Sequence, residues 1–172
     1  SRLRQAASLL VDFVLPPACA FCTRDLQNDF EARVDRINLC GKCRKNFTSD
    51  ERSGCLKCGS PVGPYVDTRD GCPECTRRNF RFDQVIRLGI YEDSLRTACI
   101  RGKSRGAEAL AAALASFHFR KNQAQFTESA PEVIVPVPQF WRHWFTRPHH
   151  QALTMAEVLA EHLGIPCDDR AI

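Results

Sequence analysis

Eight of the ten cysteines in this 172-residue chain fall into four CxxC pairs: Cys19/Cys22, Cys40/Cys43, Cys55/Cys58 and Cys72/Cys75. Ten cysteines in a short secreted chain read as a disulfide framework, but a repeated CxxC spacing reads as metal binding. Two intervening residues form a tight turn that aims both thiolates at one tetrahedral ion, about 2.3 Å from each sulfur. Gly59, directly after Cys58, permits such a turn. A catalytic dithiol needs a low-pKa thiol at a helix start within a strand–helix unit, and none of the four pairs reads as having that setting. Spacers of 17, 11 and 13 residues separate successive pairs, each long enough for a hairpin to return and complete a four-sulfur site. Two structural zinc ions are the expectation.

The pairing has two solutions. Sequential pairing makes one ribbon from Cys19, Cys22, Cys40 and Cys43 and another from Cys55, Cys58, Cys72 and Cys75; a cross-braced fold pairs first with third and second with fourth. The polar spacer "RKNFTSDERSG", ending in Gly54, resembles a connector more than a packed crossover and favours the sequential form. Composition supports metal in either case. Between Pro16 and Arg78 only 11 of 63 residues are large and apolar, too few to offset chain entropy without a cross-link. Zinc supplies it, because binding at such sites is folding free energy, on the order of 10 kcal/mol or more.

The formal charge of +4 suggests nucleic acid until the metal is counted. Each zinc held by four thiolates carries a net −2, so two such sites cancel the excess. Attention moves to local clusters. "SLRTACIRGKSRG" carries Arg96, Arg101, Lys103 and Arg105 with no acid, and "FWRHWFTRPHH" carries Arg142, Arg147, two tryptophans and three histidines. A solvated loop is the plain reading of each.

The opening "SRLRQAASLLVDFVLPPACA" imitates a secretory signal, but Asp12 interrupts its apolar stretch and Cys19 opens the first CxxC. An amphipathic helix with Leu3, Leu10 and Val14 on one face, Leu9 and Phe13 beside it, and Pro16 and Pro17 as its stop fits better. No apolar run approaches the roughly 18 residues of a membrane span, and a cytoplasmic protein is expected. Cys99 and Cys167 stand alone and read as small buried hydrophobes.

From Phe80 the cysteine pairs stop and strand and helix patterns begin, placing a boundary near residue 80 between modules 1–80 and 81–172. A strand is expected around Val85–Tyr91 and an alanine-rich helix after Gly106. "PEVIVPVP" reads as a buried central strand at Val133–Val137. A basic loop then leads to a helix whose inner face is Ala152, Ala156, Leu159 and Leu163, stopped by Gly164 and Pro166. Strand, loop and helix predict a crossover in a parallel sheet. Both basic clusters then lie where such sheets bind phosphates, at loops entering helices beyond strand ends.

The order of parts resembles the ComF family, competence-related proteins with a double zinc ribbon before a type I phosphoribosyltransferase-like domain. The resemblance rests on "LPPACAFC", "LCGKC", "CLKCGSPV" and "GCPEC", then on "RFDQVIRLGIYEDSLRTACIRGKSRGAEALAAAL", with Lys103 and Gly106 at a helix start, and on "VIVPVP" followed by a basic loop and "QALTMAEVLAEHLGIP". It implies a small zinc-ribbon module followed by part of an α/β type I phosphoribosyltransferase-like domain.

By that resemblance, Lys103, Arg105, Arg142, Arg147 and Gln151 are candidate phosphate contacts. The ligand is phosphoribosyl pyrophosphate with Mg²⁺, and the setting is DNA uptake or utilisation alongside competence or DNA-processing proteins. The family pattern Arg-Gly-Phe-Asn-Gln-Ala is here Arg147, Pro148, His149, His150, Gln151 and Ala152, so proline replaces a glycine and removes an N–H donor. The acidic pair and Thr-Thr-Gly loop that cradle the ribose phosphate do not occur before Ile172; the chain is expected to stop short of that loop and, alone, to be inactive. Single-stranded DNA binding, with Trp141 or Trp144 stacking on bases, and a protein adaptor are the alternatives.

Overall fold

Two of the four CxxC pairs sit on hairpin turns and two open short helices, and this alternation organises the first half. The computed structural model describes residues 16–49, 54–78, 80–139 and 150–170. Ala18 bridges Asp25, and within that hairpin the Cys19 N–H donates to the Arg24 carbonyl and the Thr23 N–H to the Cys19 carbonyl, both at 2.8 Å. Gly54 bridges Pro61 in the same manner: Cys55 N–H donates to Ser60 O at 2.9 Å and Gly59 N–H to Cys55 O at 2.8 Å. Helices α1 (Phe30–Asp35) and α2 (Gly41–Phe47) follow the first hairpin, and α3 (Pro73–Arg77) follows the second. Cys40 and Cys72 are the N-caps of α2 and α3. Hairpin knuckle followed by helix knuckle is thus used twice.

The residue after each hairpin pair must turn left-handed to bring the chain back. Gly59 does so at φ +73° without steric cost; in the first ribbon Thr23 occupies the same place at φ +60°. A β-branched residue there is strained by roughly 1 kcal/mol or more. Thr23→Gly is expected to stabilise the zinc-loaded chain by roughly 0.5–1 kcal/mol, allowing for the extra freedom glycine gives the unfolded state. Chemical denaturation measures this; a loss of stability would show that Thr23 is unstrained.

The first ribbon's spacer is pinned by one carboxylate. Asp29 caps α1 through Oδ1, which accepts from Ala32 N at 3.0 Å, while Oδ2 accepts from Gly41 N, the first residue of α2, at 2.8 Å. These backbone hydrogen bonds hold the Asp29 carboxyl below its ordinary range. Arg44 is buried at 7% exposure behind α2, donating to the carbonyls of Leu39 at 2.9 Å and Ile37 at 3.2 Å and to Asp35 at 2.7 Å.

The second half contains α4 (Asp93–Arg101), α5 (Glu108–Lys121), α6 (Gln123–Ser129) and α7 (Gln151–Leu163). Gly164 ends α7 in a left-handed cap at φ +69°. α5 packs most extensively on α7, and α4 lies on α2 of the first ribbon. A single apolar cluster runs through Leu26, Ile37, Leu39 and Phe47 of the first ribbon into Leu95, Ala98, Leu110 and Leu114. Packing therefore crosses residue 80, and this apolar cluster does so through the first ribbon. No second-cage cysteine belongs to this cluster.

The expected strand at Val85–Tyr91 does not form. Its backbone is spent elsewhere: Val85 N–H donates to Leu56 O at 3.1 Å, and Leu88 O accepts from the Lys121 ammonium at 3.1 Å. Gly89 lies on α2, where an added Cβ would come within 2.5 Å of the Phe47 carbonyl oxygen. The Val133–Val137 segment is not a buried central strand either. Among the described residues only Ile134 pairs, in a parallel bridge with Cys167, and Val133, Val135 and Val137 are exposed. Pro136 and Pro138 withhold the N–H groups a longer ladder needs. The bridge nonetheless places segments on either side of α7 parallel, as a crossover requires. Cys99 and Cys167 are half-buried.

Candidate metal centres and the basic turn

The thiols of Cys19, Cys22, Cys40 and Cys43 gather in one group and those of Cys55, Cys58, Cys72 and Cys75 in a second, with all sulfurs of a group within 4.8 Å of one another. The grouping is sequential. Closest separations are 3.7 Å for Cys22–Cys40 and for Cys55–Cys75, 3.5 Å for Cys58–Cys72 and 3.9 Å for Cys72–Cys75. A tetrahedron with metal–sulfur bonds of about 2.3 Å has edges of about 3.8 Å, whereas a disulfide needs about 2.05 Å. The donor sets fit zinc and do not fit disulfides. Two pairs do open helices, contrary to the sequence reading, yet each shares its cage with a hairpin pair, so neither stands as an isolated dithiol. Four thiolates leave no open coordination position, which assigns these centres to structure and not to catalysis.

Without a cation between them, sulfurs this close titrate unequally. Burial raises the Cys58 thiol, but hydrogen bonds from the Ser60 hydroxyl and backbone, with Cys75 and Cys72, outweigh it and bring it to about 6. In the first cage burial is likewise outweighed at Cys19, by the backbones of Cys22, Cys40 and Phe21, giving about 7. Burial, joined by neighbouring sulfurs, pushes Cys75 up to about 12 and Cys43 well above the usual thiol range; burial also raises Cys40. The raised thiols keep their protons at neutral pH, so zinc must displace them and zinc affinity falls as pH falls. Zinc added to the reduced, metal-free chain at pH 7, whose eight paired thiols are then mostly protonated, is expected to release close to eight protons as both cages form, and at least those of Cys40, Cys43 and Cys75, read with an indicator dye in weak buffer. Release of fewer than these three contradicts thiolate ligation by these residues.

The basic turn after α4 is tied to the first ribbon. Arg101 Nη1 donates to Phe21 O at 2.7 Å, between Cys19 and Cys22 in sequence, and its guanidinium lies 5.0 Å from the Phe21 ring centre. Phe21 in turn meets Phe47 edge-on at 5.1 Å. Beyond Arg101 the chain turns through Gly102, Lys103, Ser104 and Arg105, with both basic side chains exposed. The Gln151 amide at the start of α7 packs so tightly on Gly102 that a Cβ there would collide with it. The turn that carries Lys103 and Arg105 is thus brought against Gln151 through Gly102. His150 Nε2 lies 3.1 Å from the Val137 carbonyl. Arg142 and Arg147, with Trp141, Trp144 and Pro148, lie outside the described residues, as does the expected helix over residues 1–15.

Residues 10–77 match the model of the double zinc ribbon domain. No curated protein and no solved structure matched the chain in the same comparisons. The match and the two sulfur cages together define the first half as a double zinc ribbon with two four-cysteine sites. No described helix is long and apolar enough to cross a membrane.

Proposed function

We propose that this chain is a ComF-like cytoplasmic protein. Its zinc ribbons brace a phosphoribosyltransferase-type α/β domain that takes a pyrophosphate-bearing ligand, phosphoribosyl pyrophosphate with Mg²⁺, in DNA uptake or utilisation. The observation that carries this reading is the meeting of Gly102, at the head of the Lys103–Arg105 turn, with Gln151 at the start of α7. Cations, an amide donor and a helix start there offer the electrostatics a pyrophosphate needs, and Arg142 and Arg147 precede the same helix in sequence. Lys103 and Arg105 supply charge, Gln151 a hydrogen bond, and the first zinc centre holds the turn through Arg101. These 172 residues contain no acidic pair followed by Thr-Thr-Gly, so binding without turnover is the expectation for them.

Titration calorimetry of the zinc-loaded chain with phosphoribosyl pyrophosphate and Mg²⁺ tests this. Saturable binding, weakened about tenfold by Lys103→Ala, the worth of one charge-assisted contact, supports it. No binding, together with tight binding of a single-stranded oligonucleotide that weakens steeply between low and moderate salt, replaces it with the nucleic-acid reading. Zinc uptake with neither behaviour leaves the adaptor reading.

A further inference from the structure

Arg101 ends α4 at the base of the basic turn and lays its side chain on one knuckle of the first cage. The contact has two parts: Nη1 donates to the Phe21 carbonyl at 2.7 Å, and the guanidinium lies 5.0 Å from the Phe21 ring centre. Phe21 stands between Cys19 and Cys22, and its backbone N–H faces the Cys19 sulfur. One residue thus meets the cage with its N–H and Arg101 with its carbonyl. On the far side the Arg101 carbonyl accepts from Ser104 N at 3.0 Å and the Ile100 carbonyl from Lys103 N at 3.1 Å, so the turn is built on the last residues of α4. The apolar face of α4 has the same anchor, since Leu95 and Ala98 are buried in the cluster that holds Cys19, Cys40 and Cys43. An ion held by all four thiolates gives the Cys19–Cys22 knuckle one conformation. Ordering supplied at one site lowers the ordering cost at the other, and that difference is a coupling between them.

We propose that the first zinc centre regulates the basic turn: metal in the cage fixes Phe21, Phe21 holds Arg101, and Arg101 positions the turn that carries Lys103 and Arg105. The anion at the turn rests on the function proposed above; the latch between cage and turn does not. Linkage is reciprocal, so an anion held at the turn tightens zinc in the first cage by the factor by which that zinc tightens the anion. The second cage lies outside this linkage.

The test titrates the zinc-loaded chain with a chelator; alkylation of the freed thiols and peptide mapping read each cage separately. Arg101→Met, a change at an exposed side chain outside the ligand set, is expected to weaken zinc retention by the first cage about threefold or more, the worth of one exposed charge-assisted contact. The second cage should be unchanged, and Arg101→Lys should recover part of the loss. Amide exchange at Lys103 and Ser104 should quicken in Arg101→Met while exchange within α7 stays as it was, a pattern that general destabilisation does not give. Inorganic pyrophosphate with Mg²⁺ should then tighten first-cage zinc in the unaltered chain and not in Arg101→Met. Its own hold on zinc acts on both cages alike, so the second cage is the control. Unchanged first-cage retention in Arg101→Met, or equal weakening of both cages, overturns the proposal. Saturable pyrophosphate binding with no selective effect on the first cage also overturns it and leaves the ligand reading standing. A selective effect of Arg101→Met on cage and turn without pyrophosphate binding supports the latch and removes the ligand reading instead.

Discussion

Replacing Cys40 with Ser is expected to halve the bound zinc and also to lower the melting temperature of the helical half by roughly 10 °C or more, since one zinc site contributes on the order of 10 kcal/mol. Cys72→Ser should halve the zinc equally but leave helical melting nearly unchanged. The difference follows from packing. Cys19, Cys40 and Cys43 are buried in the same cluster as Leu95, Ala98, Leu110 and Leu114, so opening the first cage exposes apolar surface on α4 and α5. The second cage meets the rest of the chain through polar contacts such as Arg87 on Gly59. Metal analysis alongside circular dichroism at helical wavelengths reads both quantities. Equal losses of helical stability in the two variants would contradict this division.

Arg44→Met is expected to destabilise the zinc-loaded chain by about 3–5 kcal/mol, the usual cost of removing one partner from a buried ion pair. The side chain satisfies the Leu39 and Ile37 carbonyls and pairs with Asp35, whose other oxygen is held by Arg120 of α5 at 3.3 Å. Its guanidinium also faces the Phe117 ring at 5.8 Å. Methionine fills the space but removes the Leu39 carbonyl's side-chain donor, leaves the Ile37 carbonyl only the Leu39 N–H at 2.7 Å, and leaves Asp35 one exposed partner. Lysine should recover little, because its single ammonium cannot serve three acceptors spread across a planar fork. Denaturant unfolding measures the change; a loss under about 1 kcal/mol would mean that water serves these acceptors as well.

The metal half was legible because CxxC spacing is a local constraint: a two-residue turn fixes the geometry whatever surrounds it. The polar spacer after Cys43 pointed to the sequential grouping that the sulfurs adopt. Arg44 was not legible. It stands in the run "CRKNF" beside lysine, and only the curl of the spacer, which turns the Ile37 and Leu39 carbonyls inward, distinguishes it from its exposed neighbours. Thr23 was hidden for a related reason, since glycine advertises a left-handed turn and threonine does not.

In the second half, the alanine-rich α5 and the Gly164 stop of α7 were read from period and caps, whereas α4, which carries Arg96 and Arg101 of the run read as a loop, and the short α6 were not. Nor were the strands. Val85–Tyr91 has the side chains of a strand, but strand formation depends on a partner backbone, and the nearest groups to this segment are Leu56, Phe47 and Lys121. "VIVPVP" is apolar enough for a core, yet its prolines limit pairing to Ile134. The closeness of Gly102 to Gln151, 49 positions apart, is a product of helix packing that no local pattern announces.

Native mass spectrometry of the freshly purified, reduced chain tests the central claim most directly. Two zinc ions per folded chain, lost together with compact structure on chelation, with all eight paired thiols recovered as free, is the predicted result. A folded species carrying no metal, lighter by the hydrogens lost in forming disulfides among those eight cysteines, would contradict it.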